Sequence, residues 1–329
     1  MAVTAPTVPA LPSARVRGRA AARATSRHHP LVELADELAE STGRALRALA
    51  PSAVLRLEEE IEERLARVPL RKNEYGYDPW GFHPAVARRI LLLTSLFYRY
   101  YFRVELAGVE RLPAGRVLVV ANHGGQIALD AAMIATGVFL EGEPPRILRG
   151  MGEYWLPRVP WINIVMVRSG SVVGTPKNCL DLLHRDEAVI VFPEGVRGMN
   201  KPYWQAYRLQ RFGLGFMRLA LATRTPIVPV AVVGSEEQAP GIANLRSVAR
   251  LLGMPAFPLT LTWPWLGPLG LVPFPVKYRI TFGEPMEFSG DAHAEDEAIE
   301  KLVRQVKRRI RTMLDRMLEK RKTILSIFF

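Results

Sequence analysis

The chain is expected to fold as an α/β protein: a mixed, mostly parallel sheet flanked by helices, with an N-terminal helical segment and a C-terminal basic amphipathic helix. Three observations predict this. Short apolar runs recur at residues 117–121, 162–167, 188–192, 227–233 and 278–282, and each reads as a buried strand. Helical patterns lie between them, and strand–helix alternation is the signature of a sheet covered by helices. Two of the runs end in polar, glycine-bearing turns, Asn122-His123-Gly124-Gly125 and Phe192-Pro193-Glu194-Gly195, where an open α/β sheet places its ligand.

Taken in order, residues 1–30 are Ala, Pro, Ser, Thr and Arg-rich, with no acid before Glu33 and no apolar stretch of signal-peptide length. They are expected to be a disordered basic tail. Residues 31–102 form a helical, membrane-associating candidate segment. Its first helix, 31–66, is interrupted near Pro51 and carries a solvated acidic face at Glu58, Glu59, Glu60, Glu62 and Glu63. A loop at 71–84 follows, with Tyr75, Tyr77, Trp80 and Phe82 interleaved among turn residues, suited either to a membrane interface or to packing over the domain. Residues 85–102 are apolar and edged by Arg88, Arg89, Arg99 and Arg103, a pattern that fits a headgroup-level helix near lipid phosphate and an ordinary core helix equally well.

The α/β domain spans 103–290. Within it Thr175-Pro176 is a helix start, threonine capping and proline at the first helical position, and the helix runs to His184. Gly213 to Ala222 is a second crossover helix. Residues 254–276 hold no charge, many prolines and glycines, and both Trp263 and Trp265. They are expected to be a buried cover over an apolar tunnel or a shallow membrane dip. Residues 291–329 are the C-terminal helix, with an apolar stripe at Ile299, Leu302, Val306, Ile310, Met313 and Met317 and ten Lys or Arg between Lys301 and Lys322. That combination suits an interfacial helix on anionic lipid, or a docked helix with a solvated basic face.

A net charge of +12 and a pI near 10.1 call for an anionic partner. Nucleic acid is set aside, because no reading module is present and the aromatics sit in apolar runs rather than on a basic stacking surface. Cys179 is the only cysteine, so the chain has no intrachain disulfide and no cysteine metal site, and its place in an amphipathic helix makes it a core residue. No apolar stretch reaches spanning length, which points to a peripheral or monotopic protein.

His123 is the candidate general base, since histidine titrates in the right range to take a hydroxyl proton. Asp130, at the start of an apolar helical segment, can hold one imidazole nitrogen so that the other faces the substrate. The chain has no G-x-S-x-G elbow, so a covalent serine mechanism is the weaker choice.

Four blocks together resemble the glycerolipid acyltransferase superfamily, the lysophospholipid and 1-acylglycerol-3-phosphate acyltransferases with the diacylglycerol acyltransferase-like branch. They are Asn122-His123 through Asp130, Trp161 through Arg168, Phe192 through Gly195, and Thr225 through Val230, followed by a closing Phe282-Gly283-Glu284-Pro285. Six residues separate His123 from Asp130 where the commonest form of the motif has four, a longer glycine-rich spacer seen near the diacylglycerol acyltransferase-like branch.

The resemblance implies an enzyme that moves a fatty acyl group from acyl-CoA or acyl-carrier protein to a glycerolipid hydroxyl, with a lysophospholipid as the leading acceptor. Mono- or diacylglycerol is the alternative acceptor, and a non-catalytic lipid-binding protein is the alternative of another class. It implies further that Glu194 and Gly195 shape the acceptor site, that Arg168 and then Arg197 meet a phosphate, and that amides near Gly124 and Gly125 serve the oxyanion. No cofactor or metal is expected. The setting implied is an anionic membrane surface, on the cytoplasmic face.

Overall fold

In the computed structural model, residues 51–156, 162–251, 253 and 256–321 are described. The basic tail, and the part of the first helix before Pro51, lie outside them. The elements in chain order are α1 (Pro51–Arg67), α2 (Pro84–Leu96) continued by a π-helical turn (Phe97–Tyr101), β1 (Glu105–Ala107), β2 (Val117–Ala121), α3 (Leu129–Glu141), β3 (Leu148–Gly152), α4 (Ile162–Arg168), β4 (Val172–Val173), α5 (Pro176–Leu183), β5 (Ala188–Val191), α6 (Val196–Met199), α7 (Gly215–Thr223), β6 (Ile227–Val233), β7 (Gly241–Asn244), α8 (Arg246–Leu251), β8 (Pro258–Thr260), β9 (Arg279–Phe282) and α9 (Asp296–Glu319).

Seven strands form one sheet in the order β1-β9-β6-β2-β5-β3-β4. The five strands from β6 to β4 are parallel, and β9 turns the sheet antiparallel at β6. β2 lies at the centre, with Val119 opposite Ile190 of β5 and Val228 of β6. All of its residues are buried, as expected of a strand covered on both faces. Alternation along β2 sorts the two cores: Val117, Val119 and Ala121 face a cluster built with α1, α2 and α3, while Leu118 and Val120 face one built with α5, α7 and α9.

Residues 162–167, which read as a strand, lie in helix α4. β3 and β4 are parallel neighbours, so the chain between them must cross over, and α4 lies on that crossover. Its β-branched apolar run cannot be told from a strand by periodicity, and Ile162, Ile164 and Val165 stay exposed.

Elsewhere the local chemistry works as read. Thr175 accepts the Asn178 amide at 3.0 Å with Pro176 at the first helical position of α5. The stripe of α9 is used up inside the protein: Ile299, Val306 and Ile310 are buried in the second core, and Leu302 and Met317 pack against it. That stripe is therefore not free for lipid.

Three of the four arginines around α2 are likewise engaged, and Arg89 is exposed. Arg88 pairs with Glu62, Arg99 Nη2 with Glu60 Oε1 at 2.6 Å, and Arg103 donates to the carbonyls of Tyr101 and Pro275. The acidic face of α1 is thus partly an inter-helix surface. Arg64 of α1 donates to the carbonyls of Phe139 and Gly142 at 2.6 and 2.5 Å, closing the C-terminal end of α3 where helix carbonyls lack partners. In the 71–84 loop Phe82 is buried and Trp80 lies against Arg149, whereas Tyr75 is exposed, so most of the aromatics pack over the domain.

Residues 261–272 are not a buried cover, although Phe274 and Val276 beyond them pack into the first core. β8 pairs only with β7, outside the main sheet, and Trp265 and Leu269 are 66% and 73% exposed. The proline- and glycine-rich segment folds over itself: Trp265 Nε1 donates to Thr260 O at 3.2 Å and Thr262 Oγ1 to Gly270 O at 2.9 Å.

Candidate active site

Three turns meet at the C-terminal ends of the three central parallel strands: 122–125 after β2, 192–195 after β5, and 234–238 after β6. This is the end of an open α/β sheet where ligand crevices form. Asn122 locks the first turn in place. Its side-chain amide donates to Val232 O at 3.0 Å and its Oδ1 accepts the Val232 amide at 2.8 Å, extending the β2–β6 pairing by one residue through a side chain.

His123 follows. Its Nδ1 lies 2.7 Å from Asp130 Oδ2, and the same oxygen accepts the Gly124 amide at 3.1 Å. Asp130 sits in the first turn of α3, where the helix dipole favours a carboxylate. Its side chain is fully buried and that of His123 is 11% exposed. The imidazole stacks on Phe192 with centroids 4.2 Å apart. Burial of the ring opposes protonation, but the charge and hydrogen bond of Asp130, with the charge of Glu194 behind them, outweigh it, so the His123 pKa is raised; Lys201 offsets part of this.

The six-residue spacer is a bulge with its own supports. Gly125 has φ +90° and Gln126 φ +61°. A side chain at Gly125 would place Cβ 2.0 Å from Ser235 O, and one at Gly124 would place it 2.6 Å from Glu236 Cδ. Both glycines are therefore required by the close approach of the 234–238 turn. Gln238 donates from Nε2 to Gly125 O and Ile127 O, at 3.0 and 2.8 Å, while its Oε1 accepts the Tyr278 hydroxyl at 2.6 Å. One amide thus fixes the spacer from above. Because the Gly124 amide is bonded to Asp130, its role here is to orient the carboxylate.

Glu194 is brought to the pair, but through the backbone. Its Oε1 accepts the His123 amide at 3.1 Å. Gly195 has φ +56° and turns the chain into α6, on which Arg197 is exposed. Arg168 is placed differently: it lines a cavity of about 280 Å³ with Glu153, Asn163 and Ser171. Its Nη1 donates to Gly81 O at 2.9 Å and its guanidinium lies over Tyr77 at 4.3 Å. The cavity adjoins the 192–195 turn, since a Cβ on Gly195 would lie 3.5 Å from Glu153 Oε1.

Two buried charges were not foreseen. Lys201 Nζ lies 2.5 Å from Glu236 Oε1 and 3.4 Å from His123 O. Burial pushes Glu236 up to about 7, against the charge and hydrogen bond of Lys201. Beside it Glu237 pairs with Arg321 at 2.7 Å and accepts from the Tyr207 hydroxyl. The signal was available: Gly234-Ser235-Glu236-Glu237-Gln238 is a polar, glycine-led turn after an apolar strand, like the two turns that were singled out. Cys179, by contrast, is buried, and burial raises its thiol pKa to about 11, the mark of a core residue rather than a nucleophile. Among the described residues no group of His, Cys, Asp and Glu could hold a metal ion.

The fold and this site define an α/β protein with a buried His–Asp pair at the C-terminal edge of its parallel strands. The family model described as "Acyltransferase" matches residues 103–233. An uncharacterized protein of Mycobacterium tuberculosis is 39% identical over 257 residues, covering 77% of this chain and 71% of that protein. The chain belongs to the acyltransferase family, and the protein is an acyltransferase enzyme.

Relatives at lower identity include a Mus musculus protein named "DGAT1/2-independent enzyme synthesizing storage lipids", 21% identical over 74% of this chain and 69% of that protein. The chloroplastic 1-acyl-sn-glycerol-3-phosphate acyltransferase BAT2 of Brassica napus is 26% identical over 54% and 51%. The solved structure of the acyltransferase PlsC from Thermotoga maritima aligns over 84% of this chain and 97% of that one, with a TM-score of 0.45 and 18% identity.

Proposed function

We propose that the protein transfers a fatty acyl group from acyl-CoA or acyl-carrier protein to a hydroxyl of a lysophospholipid, working peripherally at the cytoplasmic face of a membrane. The observation that carries the reading is the 2.7 Å contact between His123 Nδ1 and the buried Asp130 carboxylate, in a chain of this family. With Nδ1 held by Asp130, Nε2 is the nitrogen left to act as base.

In this reading the acceptor hydroxyl gives its proton to His123 Nε2 as its oxygen attacks the thioester carbonyl. Asp130 stabilises the imidazolium that forms. The tetrahedral intermediate then collapses, the carbon–sulfur bond breaks, and the imidazolium returns the proton to the departing thiolate. No acyl-enzyme is needed, in keeping with the buried, high-pKa Cys179. The cavity beside Gly195 is the place for the acceptor's polar head in this reading, with Arg168 on its wall as the phosphate contact and Arg197, on α6 just after Gly195, as a second cation outside the lining.

A second acceptor, mono- or diacylglycerol, is favoured by the extended spacer and by the way Gly81 O and Tyr77 already engage the Arg168 guanidinium. Transfer of labelled acyl groups from acyl-CoA and from acyl-carrier protein to lysophosphatidic acid, other lysophospholipids, monoacylglycerol and diacylglycerol separates the two. The reading expects product with the phosphate-bearing acceptors, and Arg168→Ala should raise their KM about tenfold. Product with neutral acceptors alone would replace it with the second reading, and no product with any pair would sink both.

A further inference from the structure

We propose that the ribbon formed by residues 241–251 and 256–272 is the surface by which this protein sits on an anionic lipid bilayer. The inference deepens the reading above by assigning its membrane face, and it rests on a bilayer lipid being the acceptor.

The first argument is exposure. Leu261, Trp265, Leu266, Leu269, Leu271 and Val272 all lie open to solvent on a unit that stands outside the seven-stranded sheet. The unit holds itself together: β7 pairs with β8 from Gly241 opposite Thr260 to Asn244 opposite Pro258, and the 3-10 turn at 267–271 is tied back at Thr262. Soluble surfaces rarely carry contiguous apolar side chains on this scale without a partner. α8, within the same excursion, ends in Arg250 and Leu251, the latter 86% exposed.

Charge selects the partner. From Gly195 to Gly283 the chain carries ten Lys or Arg and only two acids, Glu236 and Glu237. Both acids are buried and paired, with Lys201 and Arg321. The exposed cations Arg197, Arg208, Arg211 and Arg250 make no ion pair among the described residues. An apolar, tryptophan-bearing projection in a stretch without surface acids matches the boundary of an anionic bilayer, where apolar burial and cation attraction act together. A second copy of the chain would instead bring like charges against each other.

Position gives the surface its use. The ribbon leaves and rejoins the domain at Gln238, whose side chain holds the His123–Asp130 spacer and whose carbonyl accepts the Phe274 amide at 2.7 Å. A Cβ on Gly241 would lie 2.3 Å from Gln126 Nε2, so the ribbon's first residue abuts the spacer itself. Tyr203 and Trp204, also exposed, follow Lys201, whose carbonyl accepts from that same Gln126 side chain at 3.1 Å. Lipid bound by the ribbon would therefore arrive at the mouth of the His–Asp turn.

The test is sedimentation of the full-length protein with vesicles of phosphatidylcholine and phosphatidylglycerol, beside vesicles of phosphatidylcholine alone. Wild type should pellet with the anionic vesicles and be released by salt. Leu266→Ser with Leu269→Ser, two exposed positions whose side chains make no hydrogen bond, should lower the partition coefficient about tenfold with an unchanged thermal melt. Leu93→Ser, 58% exposed on α2, should bind as wild type does. Pelleting reads binding alone, so it stands or falls separately from acyl transfer. Equal binding by the double variant, loss of binding in Leu93→Ser, or a wild type that ignores anionic vesicles but dimerises through the ribbon would each overturn the proposal.

Discussion

Glu194 holds His123 by its backbone: one carboxylate oxygen accepts the His123 amide at 3.1 Å and the other accepts the Gln210 amide at 2.6 Å. The side chain that the motif suggests for acceptor binding is buried and bonded within the protein, with its charge directed at the imidazole from behind.

Glu194→Gln should therefore act on stability and on the base before it acts on acceptor affinity. An amide can offer only one acceptor oxygen to two backbone donors, and the N–H left unpaired costs about 1–3 kcal/mol. Urea denaturation should show that loss. The KM for the acceptor should change little while kcat falls, whereas a large KM change with unchanged stability would assign Glu194 to the acceptor.

Asp130 sets the pH range of the base. Because its carboxylate raises the His123 pKa, kcat/KM should climb through an apparent pKa above the ordinary histidine value. Asp130→Asn should move that limb to lower pH and cut kcat by about 10²–10⁴-fold. The sign for stability is fixed too. A raised histidine pKa stabilises the fold fully below the unfolded value, and the gain is lost as pH rises through the folded value. Denaturation midpoints of wild type and Asp130→Asn should therefore differ most on the acid side of the histidine range.

Gly125 is the least replaceable residue of the spacer. With φ +90° and Ser235 O 2.0 Å from the place a Cβ would take, Gly125→Ala must push the 234–238 turn away. A loss of about 3 kcal/mol is expected. Gly115→Ala, where a Cβ would meet nothing within 4 Å, is the matched control and should be near neutral. Comparing the two by chemical denaturation checks the claim.

The parts of the molecule legible in the sequence are those decided by short-range pattern. β2, β5 and β6 are runs buried on both faces, and the turns after β2 and β5 carry polar residues and glycines, so the strands and the His123–Asp130 pair could be read together. What could not be read depends on contacts between distant segments. β3 reads Leu148-Arg149-Gly150-Met151-Gly152, which has no strand pattern. Arg149 is buried there because Asp78 Oδ2, from the 71–84 loop, lies 2.7 Å away and Glu187 lies at 3.1 Å.

Lys201 and Glu236 meet over the spacer from two different loops; the glycine-led turn after β6 marks Glu236 in the sequence, but nothing local marks Lys201 as its partner. The run at 162–168 is equally apolar as strand or helix, and only the parallel pairing of β3 with β4 decides it. For residues 254–276 the sequence left a buried cover and a membrane dip open for a related reason: composition shows that a segment is apolar, but not whether the domain has surface to cover it.

The most direct measurement is acyl transfer by wild type and His123→Ala, with circular dichroism to confirm that the variant is folded. Loss of transfer by about 10³-fold or more in a folded variant is the predicted result. Turnover equal to wild type would contradict the account, because the paired histidine would then be a structural residue and the base would lie elsewhere.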